Sequence, residues 1–283
     1  MSIKVIGILG SGSMGSGIAQ LAAQSGYKVL LSDVSLEIVE KAINNIDKQL
    51  TKLIEKGRIT KEEKENVLGR IHKFSDIESL ADADFVIEAV IEEEKAKKEA
   101  FKKLDQICSP DVVLATNTSS ISITSLASVT KRADKVVGMH FFNPAPVLRL
   151  VEIIRGYYTS DLTISISMEL AKSFGKTPIL VKKDSPGFIV NRIMLAQYVE
   201  AIRLLEEGVA SKEDIDMAVK LGLNYPMGPF ELHDFTGTDI AYYALNYLSK
   251  EFQDARWNPP LALKTIIRAG RTGRKVGAGW YDY

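Results

Sequence analysis

The run Gly10-Ser11-Gly12-Ser13-Met14-Gly15 and the acid Asp33 are the first residues whose types and spacing could do chemistry. The first glycine permits a tight turn, the second lets the backbone approach a bound group, and the third lets a helix pack against a strand. A helix starting there offers unpaired N–H groups and the positive end of its dipole to an anion. Asp33 lies 18 residues after Gly15, about where a carboxylate accepts hydrogen bonds from ribose hydroxyls. Together these features point to a dinucleotide held by its pyrophosphate. Asp33 would repel a 2′-phosphate and Val34-Ser35 supply no arginine for one, which favours NAD over NADP. Oxidising an alcohol also requires a group to accept the hydroxyl proton, and histidine suits that near neutral pH. Of the three histidines, only His140 closes a strand pattern where a ligand would gather. Glu152, on the following strand pattern, could bond one ring nitrogen and fix the tautomer. A purely structural His–Glu pair is the alternative.

These residues need elements to position them. Val5, Ile6, Ile8 and Leu9 read as a buried strand, Ile18, Leu21 and Ala22 as one face of a helix, and Val29-Leu30-Leu31 as a second strand ending at Asp33. Further strand patterns cover 71–74, 84–90, 112–116, 136–139, 151–155 and 178–181, with helical patterns between them. Asp161 is expected to cap the last of those helices. Such alternation predicts a doubly wound, mainly parallel sheet of the Rossmann type, an α/β fold. Ligands collect at the carboxyl ends of its strands, where Gly10, Asp33, Glu92, Ser119 and His140 all fall.

Leu36, Val39, Ile43, Ile46, Leu50 and Leu53 form an apolar stripe, Gly57 stops that helix, and Thr60 to Glu63 is a capping box opening another. This predicts a helical-hairpin insertion. Lys48, Lys52 and Lys56 recur every four residues beside the apolar stripe. The stripe reads either as a solvated face or as a docking strip for a phosphate-rich group. Past Asp184-Ser185-Pro186-Gly187 the strand signal stops, and helices are expected over 188–207, 211–221, 228–234, 239–252 and 261–269. The predicted domains are therefore 1–185 and a smaller all-α domain over 186–283.

Thirty-six basic and thirty-six acidic side chains leave no net field, which argues against nucleic acid. Cys108 is the only cysteine, fits a reducing compartment and reads as a thiol near a helix end. No apolar run approaches the ~20 residues of a membrane span. The first strand begins by Ile3, leaving no room for a leader, so a complete cytoplasmic chain is expected. Three histidines without ligand spacing argue against a metal. His72 is placed at a sheet edge away from the ligand, and His233 is read as a satisfied packing residue.

Five segments in order resemble the 3-hydroxyacyl-CoA dehydrogenase family, most closely its short, single-function bacterial members acting on 3-hydroxybutyryl-CoA. They are Gly10–Gly15, Asn117–Ser120 (N-T-S-S), His140–Pro144 (H-F-F-N-P), Ser185–Arg192 (S-P-G-F-I-V-N-R) and Tyr225–Leu232 (Y-P-M-G-P-F-E-L). The resemblance implies reversible NAD-dependent oxidation of a 3-hydroxyacyl-CoA to the 3-oxoacyl form, such as acetoacetyl-CoA, in fatty-acid or butanoate metabolism. It implies His140 as general base for oxidation and acid for reduction, Glu152 as its partner, and Ser119 and Asn191 as hydrogen bonders of substrate oxygens. Asn191 would come from the second domain, so the site would straddle a cleft. Asp33, Glu92, Lys97, Asn143 and Lys275 resemble the family's NAD contacts, alongside Gly10, Gly12, Met14, Gly15, Asn117 and Ser119. Coenzyme A would lie against the hairpin, on Lys52 and Lys56. The family also implies dimerisation through the helical domain. One departure is that Val181-Lys182-Lys183-Asp184 is a residue longer than usual before S-P-G-F. Two other readings compete: a β-hydroxyacid dehydrogenase acting on a free acid, which would have lysine where Asn191 stands, and a non-catalytic lambda-crystallin-like protein.

Overall fold

Apolar β-branched runs set the frame of a computed structural model that describes residues 3–283. The chain divides into two compact units, Met1–Ser185 and Pro186–Tyr283. In the first, β1 (Val5–Leu9), β2 (Lys28–Ser32), β3 (Ile71–Phe74), β4 (Phe85–Glu88), β5 (Val113–Thr116), β6 (Val136–Phe141), β7 (Leu150–Ile154) and β8 (Thr177–Val181) make one sheet in the order β3-β2-β1-β4-β5-β6-β7-β8. The strands from β3 to β6 run parallel, and β7 reverses against β6 while β8 follows β7. The carboxyl ends of β1, β2, β4, β5 and β6 therefore share one edge.

Helices cover the faces because their apolar stripes need the sheet. The connections are α1 (Ser13–Gln24), α2 (Leu36–Glu55), α3 (Lys61–Gly69), α4 (Glu94–Ile107), α5 (Ile123–Ala127) and α6 (Asp161–Ser173). Val39, Ala42, Ile46 and Leu50 of α2 are buried against this core. Ser35 caps α2, and Thr60 with Glu63 forms a complete capping box on α3. The hairpin they make is pinned by Lys64, whose ammonium lies 2.8 Å from Asp47 Oδ1. The cap of α6 is Ser160, not Asp161: the serine hydroxyl accepts the Thr163 N–H, while Asp161, one residue inside, pairs with Arg155. Serine at the N-cap leaves the acid in the first turn, where the dipole favours it. The long 182–184 segment ends on Asp184, whose carboxylate accepts the Ser122 hydroxyl and the Thr124 N–H.

The second unit is helical: α7 (Val190–Glu206), α8 (Lys212–Leu223), α9 (Pro229–Thr236), α10 (Thr238–Phe252) and α11 (Leu261–Arg268). Its core holds Tyr198, Phe230, Leu245, Trp257, Leu263 and Trp280. Beyond α11 the chain forms short antiparallel bridges, Gly273 with Ala278 and Ala278 with Asp282, which no local pattern announced. Buried Asp234 holds this tail by accepting the N–H groups of Trp280 and Tyr281, both at 2.9 Å. Among the described residues no helix is long and apolar enough to cross a membrane.

His233 is packed but not satisfied, contrary to expectation. Its ring stacks on Tyr198 at 3.6 Å and neither ring nitrogen has a hydrogen-bond partner. Burial pushes its pKa down to about 3. The unfolded chain therefore takes up a proton below the ordinary value near 6.5 that the folded chain refuses. His233 costs nothing above that pH and destabilises progressively as pH falls from there toward 3. His233→Phe should remove about 2 kcal/mol of the stability lost between pH 7 and pH 5. Denaturant unfolding followed by tryptophan fluorescence checks this, since Trp257 and Trp280 both lie in this unit. Identical losses in the two proteins would refute the assignment.

Candidate active site

The glycine loop is built from β1 into α1. Gly10 has φ +96°, and a Cβ there would lie 2.5 Å from the Ala89 carbonyl oxygen. A Cβ on Gly15 would lie 1.9 Å from the Gly10 carbonyl oxygen, so only glycine lets α1 start this close to the loop. Gly12, the N-cap of α1, faces open space, and no side chain caps the helix. The first-turn N–H groups are therefore available to an anion. Asp33 braces the loop: its Oδ2 accepts the Ser11 N–H at 2.6 Å and the Ser11 hydroxyl at 2.8 Å. Its Oδ1 accepts only the neighbouring Val34 N–H at 2.7 Å, and the carboxylate stays half-buried.

A groove of about 530 Å³ runs beside this loop, with Ser11, Gly12, Ser13 and Ser16 on one wall. The other wall is α2, contributing Lys41, Asn45, Lys48, Gln49 and Lys52. Lys52 thus faces the groove, but Lys56, the C-cap residue of α2, is not among its lining residues. Lys41 was missed by the sequence reading; it stands seven residues before Lys48, two helical turns back on the same face. The ammonium groups of Lys41, Lys48 and Lys52 have no carboxylate partner among the described residues. A groove with helix N–H groups on one wall and unpaired cations on the other suits phosphates, so the residues present fit a dinucleotide.

His140 lies one residue inside the end of β6, and the antiparallel register sets it directly across from Glu152 on β7. Its Nδ1 is 2.8 Å from Glu152 Oε2, with the histidine 6% and the glutamate 1% exposed. A carboxylate can only accept, so Nδ1 carries the hydrogen. Phe142 packs on the imidazole at 4.5 Å between centroids. The β6 end is held by Asn117, whose Oδ1 accepts the Phe141 N–H at 2.9 Å and whose own N–H donates to the Glu88 carbonyl. After β6 the turn carries exposed Asn143. It is secured by Lys176, a buried ammonium donating to the carbonyls of Ala145 (2.6 Å) and Leu148 (2.8 Å). Burial lowers the Lys176 pKa.

Ser119 sits past β5 in a loop gathered by one carboxylate oxygen. Glu92 Oε1 accepts the Thr118 hydroxyl at 2.6 Å, the Ser119 N–H at 2.9 Å, and more distantly the hydroxyls of Ser119 and Ser120, each at 3.3 Å. Burial works to raise the Glu92 pKa, but Lys97 and the Thr118 and Ser119 donors outweigh it and hold the carboxyl below its ordinary range. Lys97 is enclosed beside that carboxylate. It is 1% exposed, and its ammonium is divided between Glu88 Oε1 at 2.7 Å, Glu92 Oε2 at 3.3 Å and the Val90 carbonyl. Asn191 and Lys275 lie in the second unit; the first is in the opening turn of α7, and the second pairs with Asp239 at 2.6 Å. Met14 is half-buried in the first turn of α1.

The remaining titratable candidates fall away from this edge. His72 is exposed on β3, the outermost strand. Cys108 is buried at the end of α4, where its thiol donates to the Leu80 carbonyl and burial pushes its pKa up to about 11, so it is no nucleophile. Among the described residues no cluster of three or more His, Cys, Asp or Glu side chains could hold a metal ion.

Comparison with known proteins gives the same assignment from both units. Residues 5–185 match the NAD binding domain of 3-hydroxyacyl-CoA dehydrogenase and residues 187–283 its C-terminal domain. The chain is 46% identical over 278 residues to a 3-hydroxybutyryl-CoA dehydrogenase of Clostridioides difficile, covering 98% of this chain and 99% of that one. It is 42% identical to one of Bradyrhizobium diazoefficiens, covering 99% of this chain and 96% of the relative. A crystal structure of (S)-3-hydroxybutyryl-CoA dehydrogenase PaaH1 from Ralstonia eutropha superposes with a TM-score of 0.97 at 45% identity, over 100% of this chain and 99% of that one. With both domain models matched and the fold shared along the whole chain, the chain belongs to the 3-hydroxyacyl-CoA dehydrogenase family.

Proposed function

We propose that the protein interconverts 3-hydroxybutyryl-CoA and acetoacetyl-CoA with NAD as hydride carrier. What supports this reading most is the His140–Glu152 pair, on the same sheet edge as the glycine loop. Bound NAD would supply the acceptor for the hydride of the 3-carbon in oxidation, and NADH its donor in reduction. In that step Nε2 of His140 takes the hydroxyl proton, and gives it back in the reverse direction. Glu152 keeps the hydrogen on Nδ1 and offsets the positive charge as the ring becomes imidazolium. Ser119 and Asn191 hydrogen-bond the substrate oxygens. Gly10, Gly12, Met14 and Gly15 hold the dinucleotide phosphates, Asp33 its ribose, and Asn117, Ser119, Asn143 and Glu92 line its reactive end. Lys275 keeps its proposed place as a further cofactor contact. Lys52 and Lys56 take the phosphates of coenzyme A. The cytoplasm, where NAD and CoA thioesters meet, is the location this chemistry fits.

Binding energy from the distant CoA arm can be spent on orienting the reacting carbon, so the thioester should far outperform the free acid. NADH oxidation with acetoacetyl-CoA, set beside free acetoacetate, tests the substrate class; equal rates would favour a free-acid dehydrogenase. His140→Gln should lower kcat by about 100-fold or more while NADH still binds. Near-normal turnover in that variant would remove His140 from the mechanism. Lys52→Ala should raise KM for the CoA thioester by about tenfold, the worth of one charge-assisted contact. An unchanged KM would return the lysine stripe to a solvated face.

The same proposal includes a homodimer formed through the second unit. Leu221, Tyr243 and Leu261 are largely exposed on separate helices, at 77%, 66% and 66%. Exposed apolar surface of this kind marks an association site. Sedimentation should give twice the 31.2 kDa chain mass. A monomer at micromolar concentration would overturn it.

A further inference from the structure

Glu88 is the most deeply buried carboxylate near the proposed site, and the proposed mechanism gives it no task. It ends β4 with 0% exposure and accepts three bonds of 2.7 Å, from Lys97, the Val90 N–H and the Thr116 hydroxyl. A packing role alone would not require a charge here, because a buried ion pair seldom outperforms apolar side chains of the same volume. What the pair does achieve is positional. Lys97 is shared by two carboxylates, close to Glu88 at 2.7 Å and farther from Glu92 at 3.3 Å. Glu92 then emerges to 40% exposure and turns its other oxygen onto the 118–120 loop. Within that loop the bonds differ in strength. The Thr118 hydroxyl and Ser119 N–H are held at 2.6 and 2.9 Å, whereas the Ser119 hydroxyl is held loosely at 3.3 Å. The backbone is fixed while the hydroxyl remains easy to turn toward a ligand.

We infer that Glu88, acting through Lys97 and Glu92, is a positioning residue that aims the Ser119 hydroxyl at the substrate without touching it. The inference rests on the substrate role proposed for Ser119. Removing the Glu88 charge leaves Glu92 the sole carboxylate partner of the Lys97 ammonium, beside the Val90 carbonyl. Glu92 Oε2 is then drawn inward, and its Oε1 rotates away from the serine loop. Burial raises the Glu88 pKa, and Lys97, Thr116 and Val90 pull the other way without overcoming it.

A double-mutant cycle reads this link where a structural role would not register. Glu88→Gln should lower kcat about tenfold, a modest misplacement by the standard of catalytic positioning. Ser119→Ala should lower kcat as well, and adding Glu88→Gln to it should change kcat by no more than about twofold. A folded Glu88→Gln enzyme with wild-type kcat, or an equal further loss in the Ser119→Ala background, would overturn the link. If Ser119→Ala alone leaves kcat unchanged, the proposed role of Ser119 falls, and the link falls with it; that failure is visible in the single variant. Should Glu88→Gln not fold, the double variant Glu88→Gln/Lys97→Met removes both buried charges together, which proteins tolerate better. It strips Glu92 of its cation and should reproduce both the loss and the non-additivity. Wild-type kcat in that folded variant would equally overturn the inference.

Discussion

The antiparallel pairing of β6 with β7 is the constraint on which the reactive geometry depends. Side chains alternate faces along a strand, so a slip of one residue would carry Glu152 to the opposite side of the sheet from His140. Everything else at this edge adjusts around that fixed pair. Asn117 clamps the end of β6 to β4 and β5, Phe142 closes over the imidazole, and the following turn is pinned by Lys176. The parallel strands do the complementary task of delivering the glycine loop, Glu92 and Ser119 to one edge from separate parts of the chain. Tight register thus substitutes for proximity in sequence.

Much of this was legible in the residues alone. Apolar runs announced the central strands, because a strand buried on both faces must be nearly continuous in Val, Ile and Leu, whereas the edge strand β3 shows only Ile71 and Phe74 around exposed His72 and Lys73. The capping box at Thr60 and the apolar stripe of α2 announced the hairpin, since both are local signatures. His140 and Glu152 were found by placing a titratable residue on each of two successive strands. Residues whose roles depend on distant partners were harder to read. The pairing of Lys97 with Glu88, from the preceding strand, has no local signature, because it joins a helix residue to a strand end nine positions back. His233 reads as satisfied until the ring is seen stacked on Tyr198 with neither nitrogen bonded. The bridges of the last eleven residues are held by Asp234, about forty residues upstream, which no local pattern can encode. Lys41 escaped notice because a four-residue lysine spacing drew attention to Lys48, Lys52 and Lys56 instead.

Charge is handled differently in three places. At the groove, lysines remain unpaired and outward, ready for a ligand's phosphates. Around Glu88, opposite charges are enclosed and consumed by each other. In the helical unit, Asp216 and Asp234 are buried on backbone N–H and tyrosine hydroxyl donors. Burial raises the Asp216 pKa, while the Phe230, Tyr281 and Glu231 donors act against it. The last two arrangements satisfy a buried carboxylate, and only the first leaves attraction to spare.

The Lys176 ammonium has a separate consequence for behaviour in salt. Its partners are two carbonyl dipoles in a closed environment, not an ion on the surface. Mobile counterions screen exposed charges over roughly 8 Å at physiological ionic strength and reach buried contacts poorly. The turn bearing Asn143 is consequently indifferent to electrolyte, while the open lysine groove is not. On the proposed function, rising ionic strength would loosen the grip on the phosphate-bearing end of the ligands and leave the reacting end in register, so salt would act on capture far more than on chemistry.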